Sequence, residues 1–204
     1  MTLSVWLSLV LICILGAMSP GPSLAVVAKN CLGGSWKNGV VTAWAHALGV
    51  GMYALASVLG LAIVLQHNPS LFKGIAYLGA GYLLWLGVNA VQSKGGVAAK
   101  LTAGREASLF ESARDGAMIS MLNPKLALFF LALFSQFVAA SHASESRAIV
   151  VATPLVIDGL WYTIVSFLLT RPSVLERIKA RAVLVDRMTG VVLIVLAARV
   201  IYTI

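Results

Sequence analysis

Residues 15–28 read LGAMSPGPSLAVVA and residues 119–131 read ISMLNPKLALFFL. Each lies in an apolar run long enough to cross a membrane, and each is broken, at Pro20-Gly21-Pro22 and at Asn123-Pro124-Lys125. Proline removes a backbone donor and clashes with the preceding turn. In lipid the freed carbonyls need partners, so such breaks face protein or a water-filled cavity. The two motifs occupy matching places, each in the first of three apolar segments of its half of the chain. Interrupted segments repeated in this way point to a transporter's binding site. A lone proline such as Pro154 reads as a structural kink. Two prolines around a glycine are expected to open the helix and expose backbone dipoles.

Working outward, 60% of the 204 residues are apolar, 11% are charged, and the mean hydropathy is +0.94. A soluble domain carries about 25% charged residues, so most of this chain has lipid as its solvent. Six segments of about 20 apolar residues, the length that spans hydrocarbon, are expected. They fall near 3–28, 39–66, 71–93, 115–139, 147–170 and 184–204. The polar breaks Lys29–Asn38, His67–Ser70, Ser93–Arg114, Ser141–Ser146 and Arg171–Arg181 are expected loops. No Lys or Arg precedes the first apolar run, which continues to Ala28, so it is expected to stay as a helix and not be removed as a signal.

The net charge of +8 would suit a nucleic-acid partner if it were clustered on one face. It is distributed by topology instead. Lys29 and Lys37 fall in the first loop; Lys94, Lys100, Arg105 and Arg114 in the third; Arg171, Arg177, Lys179, Arg181 and Arg187 in or beside the fifth. The second and fourth loops hold only Lys73 and Arg147. The positive-inside rule then puts the odd-numbered loops in the cytoplasm and both termini outside. Three segments per half is an odd number, so the halves enter the membrane from opposite sides. The expected fold is all-α: one polytopic domain over 1–204, with two inverted three-helix repeats near 1–93 and 115–204 joined by a loop near 94–114, and proline-broken first and fourth helices.

Polar residues inside the segments are functional candidates by default, because a charge at the bilayer centre costs at least about 2.5–3.5 kcal/mol. Asp158 is the carboxylate placed well inside a segment and suits reversible proton binding; the alternative is a fixed salt bridge. Lys125, near mid-depth beside a helix break, is its natural partner, and could hold a substrate carboxylate or alternate between that carboxylate and Asp158. Asn123 either binds substrate or satisfies the backbone that Pro124 disrupts. His46 lies among Ala43, Ala47 and Gly51, a small-residue face suited to close packing within or between chains. It reads as an interhelical hydrogen bonder first and a proton relay second. Cys13 and Cys31 lack metal-ligand spacing.

Several motifs together resemble the LysE/RhtB family of bacterial amino-acid exporters. They are Ser19-Pro20-Gly21-Pro22, Gly79-Ala80-Gly81-Tyr82-Leu83-Leu84-Trp85-Leu86-Gly87, Leu122-Asn123-Pro124-Lys125 with the aromatic-rich run to Gln136-Phe137, Asp158 ahead of Trp161-Tyr162, and Asp186-Arg187-Met188-Thr189-Gly190. The resemblance covers essentially the full length. Ser23 departs from it, since the family often has Asn or Asp after the double-proline motif. The resemblance implies a secondary exporter of amino acids or related metabolites in the cytoplasmic membrane, driven by the proton-motive force. From the residues themselves, the broken segments at Pro20, Gly21, Pro22, Ser23, Asn123, Pro124 and Lys125 are expected to hold the substrate and Asp158 to carry the proton, by alternating access.

No enzyme constellation is legible: there is no paired-carboxylate site, no phosphate-cradling glycine loop and no zinc spacing. No cofactor is implied. An exporter of a divalent metal would want several buried carboxylates or thiolates. A membrane thiol electron carrier of similar layout would want a cysteine in each half, and the second half has none.

Overall fold

The computed structural model describes residues 2–19, 21–94, 101, 103–138 and 144–203; Pro20 and the charged position Lys100 lie outside them. Among the described residues the chain is helix and connecting loop. The helices are α1 (Leu3–Met18), α2 (Pro22–Gly33), α3 (Trp36–His67), α4 (Pro69–Val91), α5 (Leu109–Met121), α6 (Pro124–Val138), α7 (Ser144–Leu169) and α8 (Pro172–Thr203).

Three single helices, α3, α4 and the Arg147–Leu169 part of α7, are long and apolar enough to cross a membrane. Two bent pairs, α1 with α2 and α5 with α6, pass the same test together, with bends of 60° and 55°. Length and composition therefore support three crossings among the described residues, and five if each bent pair is one span. The sixth segment lies in α8, where Asp186, Arg187 and Arg199 interrupt the apolar run.

The bends sit at the two proline motifs for a backbone reason. At the first, α1 ends at Met18, Gly21 is extended (φ −154°, ψ −171°) and Pro22 opens α2. At the second, α5 ends at Met121, Leu122 caps it and Pro124 opens α6. A first-turn proline sacrifices no helical hydrogen bond, because the N–H it lacks has no partner there anyway. Asn123 completes the junction: its side-chain oxygen accepts the Lys125 amide at 3.0 Å, and its carbonyl accepts from Leu126 at 3.0 Å.

Three of the expected loops are shorter than the sequence suggests. The first shrinks to Gly34-Ser35, because α2 carries Lys29 and Asn30 on to Gly33. The third ends six residues early, at the capping box of Ser108 and Glu111 that starts α5. The expected fifth loop, Arg171–Arg181, is helical from Pro172 onward. Its charged residues are good helix formers, so polarity there marks departure from lipid and not departure from helix. At 1.5 Å per residue the 32 residues of α8 run about 48 Å, well beyond the roughly 30 Å of hydrocarbon.

α3 is the hub, packing against α7, α5, α2 and α6, while α4 packs against α8 and α6, and α1 against α7. Small residues set these approaches, as van der Waals packing requires where lipid removes the hydrophobic drive. A Cβ on Gly116 of α5 would fall 2.3 Å from the Thr42 carbonyl of α3, and one on Gly190 of α8 would fall 2.6 Å from the Gly87 carbonyl of α4. The Ala43/Ala47/Gly51 face packs inside the chain: both alanines are fully buried and Gly51 meets Leu155 of α7.

Candidate functional site

The bends of α1/α2 and α5/α6 open onto one cavity of about 50 Å³, space for about three waters. Of the sequence-derived site residues, Gly21, Pro22, Ser23, His46, Asn123, Lys125 and Asp158 all line it. Pro124 is the first residue of α6, directly between two lining residues.

Part of the lining is a buried polar chain. His46 Nδ1 is 2.7 Å from Asp158 Oδ2, and His46 Nε2 is 2.8 Å from Ser23 Oγ. Asn123 Nδ2 donates to the same Ser23 oxygen at 3.5 Å. Burial is nearly complete, with His46 1% exposed and Asp158 6%. Tyr162, one turn after Asp158, sets its ring edge-on to His46 at 5.5 Å between centroids. The partner of Asp158 is thus His46, and not Lys125 as the sequence suggested, because α7 packs along α3 and brings 158 and 46 to the same level.

Lys125 is the other charged group of the described lining. It is partly buried, and its Nζ donates to Ser19 Oγ at 2.8 Å, bridging α6 to the residue that caps α1. Its ammonium lies against Gly21, where a Cβ would approach it to 3.5 Å. The N-termini of α2 and α6 both reach this region, and no side chain caps α2. Two helix N-termini and an ammonium add up to a region that favours an anion. The remaining wall is apolar, with Val50, Leu126, Phe129, Phe130 and Leu193.

The arrangement can hold an anionic group near Lys125 and a proton on the Asp158–His46 pair. Carboxylate, imidazole and hydroxyl in sequence also form the order of a nucleophilic triad, which the sequence spacing hides. A histidine that passes a proton between two partners needs the same geometry.

Sequence reasoning missed Ser19, Cys13, Gly16, Phe129, Phe130 and Tyr162 as lining residues. The available signal was register: Pro154, Asp158 and Tyr162 follow at four-residue steps on α7, as His46 and Val50 do on α3, and such residues share a helix face. Asp186 is a second buried carboxylate, 6% exposed, and accepts a hydrogen bond from Ser93 at the end of α4.

The LysE type translocator family matches residues 14–203. A leucine efflux protein of Salmonella typhimurium (strain LT2) is 35% identical over 155 residues, 74% of this chain and 70% of its own length. A leucine efflux protein of Enterobacter sp. (strain 638) is 29% identical over 185 residues, covering 88% and 87%. A threonine efflux protein of Escherichia coli (strain K12) is 25% identical over 191 residues, covering 92% and 93%. No solved structure gives a significant match. With a family match over nearly its whole length, the chain belongs to the LysE type translocators, which are membrane carriers and not enzymes.

Proposed function

We propose that the protein is a secondary exporter of amino acids across the bacterial cytoplasmic membrane. It is coupled to protons and works by alternating access between two inverted three-helix repeats that together make six crossings. The observation that carries this reading is the single cavity where both broken helices meet, lined by both Lys125 and the Asp158–His46 pair. An amino acid presents a carboxylate and an ammonium, and the cavity presents the complement of each. The efflux proteins among the relatives agree in substrate class. A metal exporter is disfavoured: among the described residues no group of three His, Cys, Asp or Glu could hold an ion. Overproducing the protein in cells preloaded with amino acids should speed the loss of at least one of them; unchanged efflux of every amino acid would sink the reading.

The polar chain suggests how a proton reaches the substrate. With Asp158 ionised and His46 neutral, Nδ1–H donates to Oδ2 and Nε2 accepts the Ser23 hydroxyl. When a proton is added to the pair with His46 as imidazolium, Nε2–H donates to Ser23 instead. The hydroxyl hydrogen must then turn away from His46, towards another acceptor. Proton occupancy is thereby written into the polarity of a cavity-lining group.

Closure on the cytoplasmic side supports alternating access. Below Tyr162 a second apolar cluster of α2, α3 and α7, including Val27, Ala43 and Leu169, is completed by Leu101, 3% exposed. Gly104 donates its N–H to the Lys29 carbonyl at 3.1 Å, and Lys29 pairs with Asp115 at 3.1 Å. For export, substrate must enter from this side, so these contacts must part. A Cβ on residue 104 would lie 2.5 Å from Lys29 Cγ, the place a cysteine sulfur would take. The double variant Lys29→Cys, Gly104→Cys should therefore export when reduced and stop when oxidised, with reductant restoring the rate. Undiminished export by fully oxidised protein would show that this closure does not open.

A further inference from the structure

We propose that, as the cavity widens from its present volume of about 50 Å³ to admit substrate, Phe129, seated on Gly16, restricts it to neutral amino acids with a small aliphatic side chain. This rests on the amino-acid reading above and extends it to the class of substrate. Charge sets the first limit. The described lining has one lysine, Lys125, and one carboxylate, Asp158, of which His46 engages one oxygen, Oδ2. The carboxylate and ammonium of a zwitterion use both groups. A charged side chain would then face the apolar wall of Val50, Leu126, Phe129 and Leu193, losing its hydration with no partner to replace it. Lysine, arginine, aspartate and glutamate are refused by this unpaired charge, a repulsive element and not a missing attraction.

Shape sets the second limit. Phe129 is 7% exposed, and Phe130 holds it edge-on at 5.7 Å between centroids. On its other side the ring tip rests against α1, where a Cβ on Gly16 would stand 3.0 Å from Phe129 Cζ. The missing Cβ lets the ring lie back into the wall. Because both residues line the cavity, a methyl group at position 16 shifts the ring at the expense of substrate space, whereas trimming the ring adds to that space. In an apolar pocket one methylene more or less changes discrimination by about 10- to 200-fold.

The experiment is counterflow of labelled leucine, alanine, phenylalanine, lysine and glutamate into proteoliposomes holding the purified full chain. The wild type is expected to carry leucine or alanine and to exclude lysine and glutamate. Phe129→Ala should raise phenylalanine relative to leucine by about tenfold or more, and Gly16→Ala should lower leucine relative to alanine by a similar factor. Phe129→Leu serves if the alanine variant fails to fold. If the wild type carries leucine but neither substitution moves these ratios, or if lysine and glutamate are carried as well as leucine, the assignment is overturned while amino-acid export stands. If no amino acid moves, the export reading itself falls, and this inference with it.

Discussion

Asp158→Asn is expected to abolish proton-driven accumulation while exchange of substrate for substrate continues at a reduced rate, because the amide oxygen still accepts from the substrate ammonium but carries no charge. The substitution keeps shape and hydrogen-bonding reach but removes the charge that lets the pair with His46 gain and lose a proton. With an amide at position 158, the Nδ1 contact at 2.7 Å is made to a neutral partner, so no carboxylate remains to balance a positive charge on His46. The size of the effect follows from the driving force. One charge moved across 100 mV carries about 2.3 kcal/mol, which sustains a substrate gradient of about 50-fold. With coupling lost, that gradient relaxes to unity. Proteoliposomes with an imposed pH gradient and potential read the accumulation, and counterflow in the same vesicles reads exchange. A variant that accumulates substrate as the wild type does would remove Asp158 from the proton path. One that fails in both assays would make the Asp158–His46 contact a structural tie between α3 and α7.

The helical fold and the location of the candidate site are legible in the sequence because they depend on local rules. Apolar runs of membrane length fix most of the helices, and Pro20-Gly21-Pro22 and Asn123-Pro124-Lys125 mark both bends, since proline's missing donor acts wherever it sits. Polar composition misleads at Arg171–Arg181, where charge signals the edge of lipid but the backbone stays helical. The partners inside the site are less legible because they depend on how helices distant in sequence are levelled against each other. His46 and Asp158 stand 112 residues apart, and Lys125 and Ser19 stand 106 apart. Depth in a segment suggested that Lys125 would meet Asp158; packing of α3 on α7 gave Asp158 a different partner. Ser23 departs from a family pattern, yet its hydroxyl is what joins His46 to Asn123 and so links the first half of the chain to the second.

Lys125→Met is expected to weaken substrate binding by about 10- to 150-fold, the worth of a hydrogen bond to a charged group. The methionine keeps an unbranched chain, so the change removes the charge with little loss of packing. In the present state the ammonium is held by Ser19 Oγ at 2.8 Å, a neutral acceptor that an incoming carboxylate can displace, because the carboxylate brings a full opposite charge to the ammonium. Ser19→Ala should accordingly leave affinity no weaker than wild type, since it removes a competing partner and frees the lysine. The decisive comparison uses substrate against its decarboxylated amine, titrated on purified protein by calorimetry. The wild type should prefer the amino acid by roughly the factor that Lys125→Met loses, and the variant should show little preference, which makes the pair a double-mutant cycle between one side chain and one ligand group. If Lys125→Met weakens the amine and the amino acid equally, the lysine does not hold the carboxylate. Its bond to Ser19 then serves to clasp α6 to the end of α1, and the anion-binding role passes to the N-termini of α2 and α6 alone.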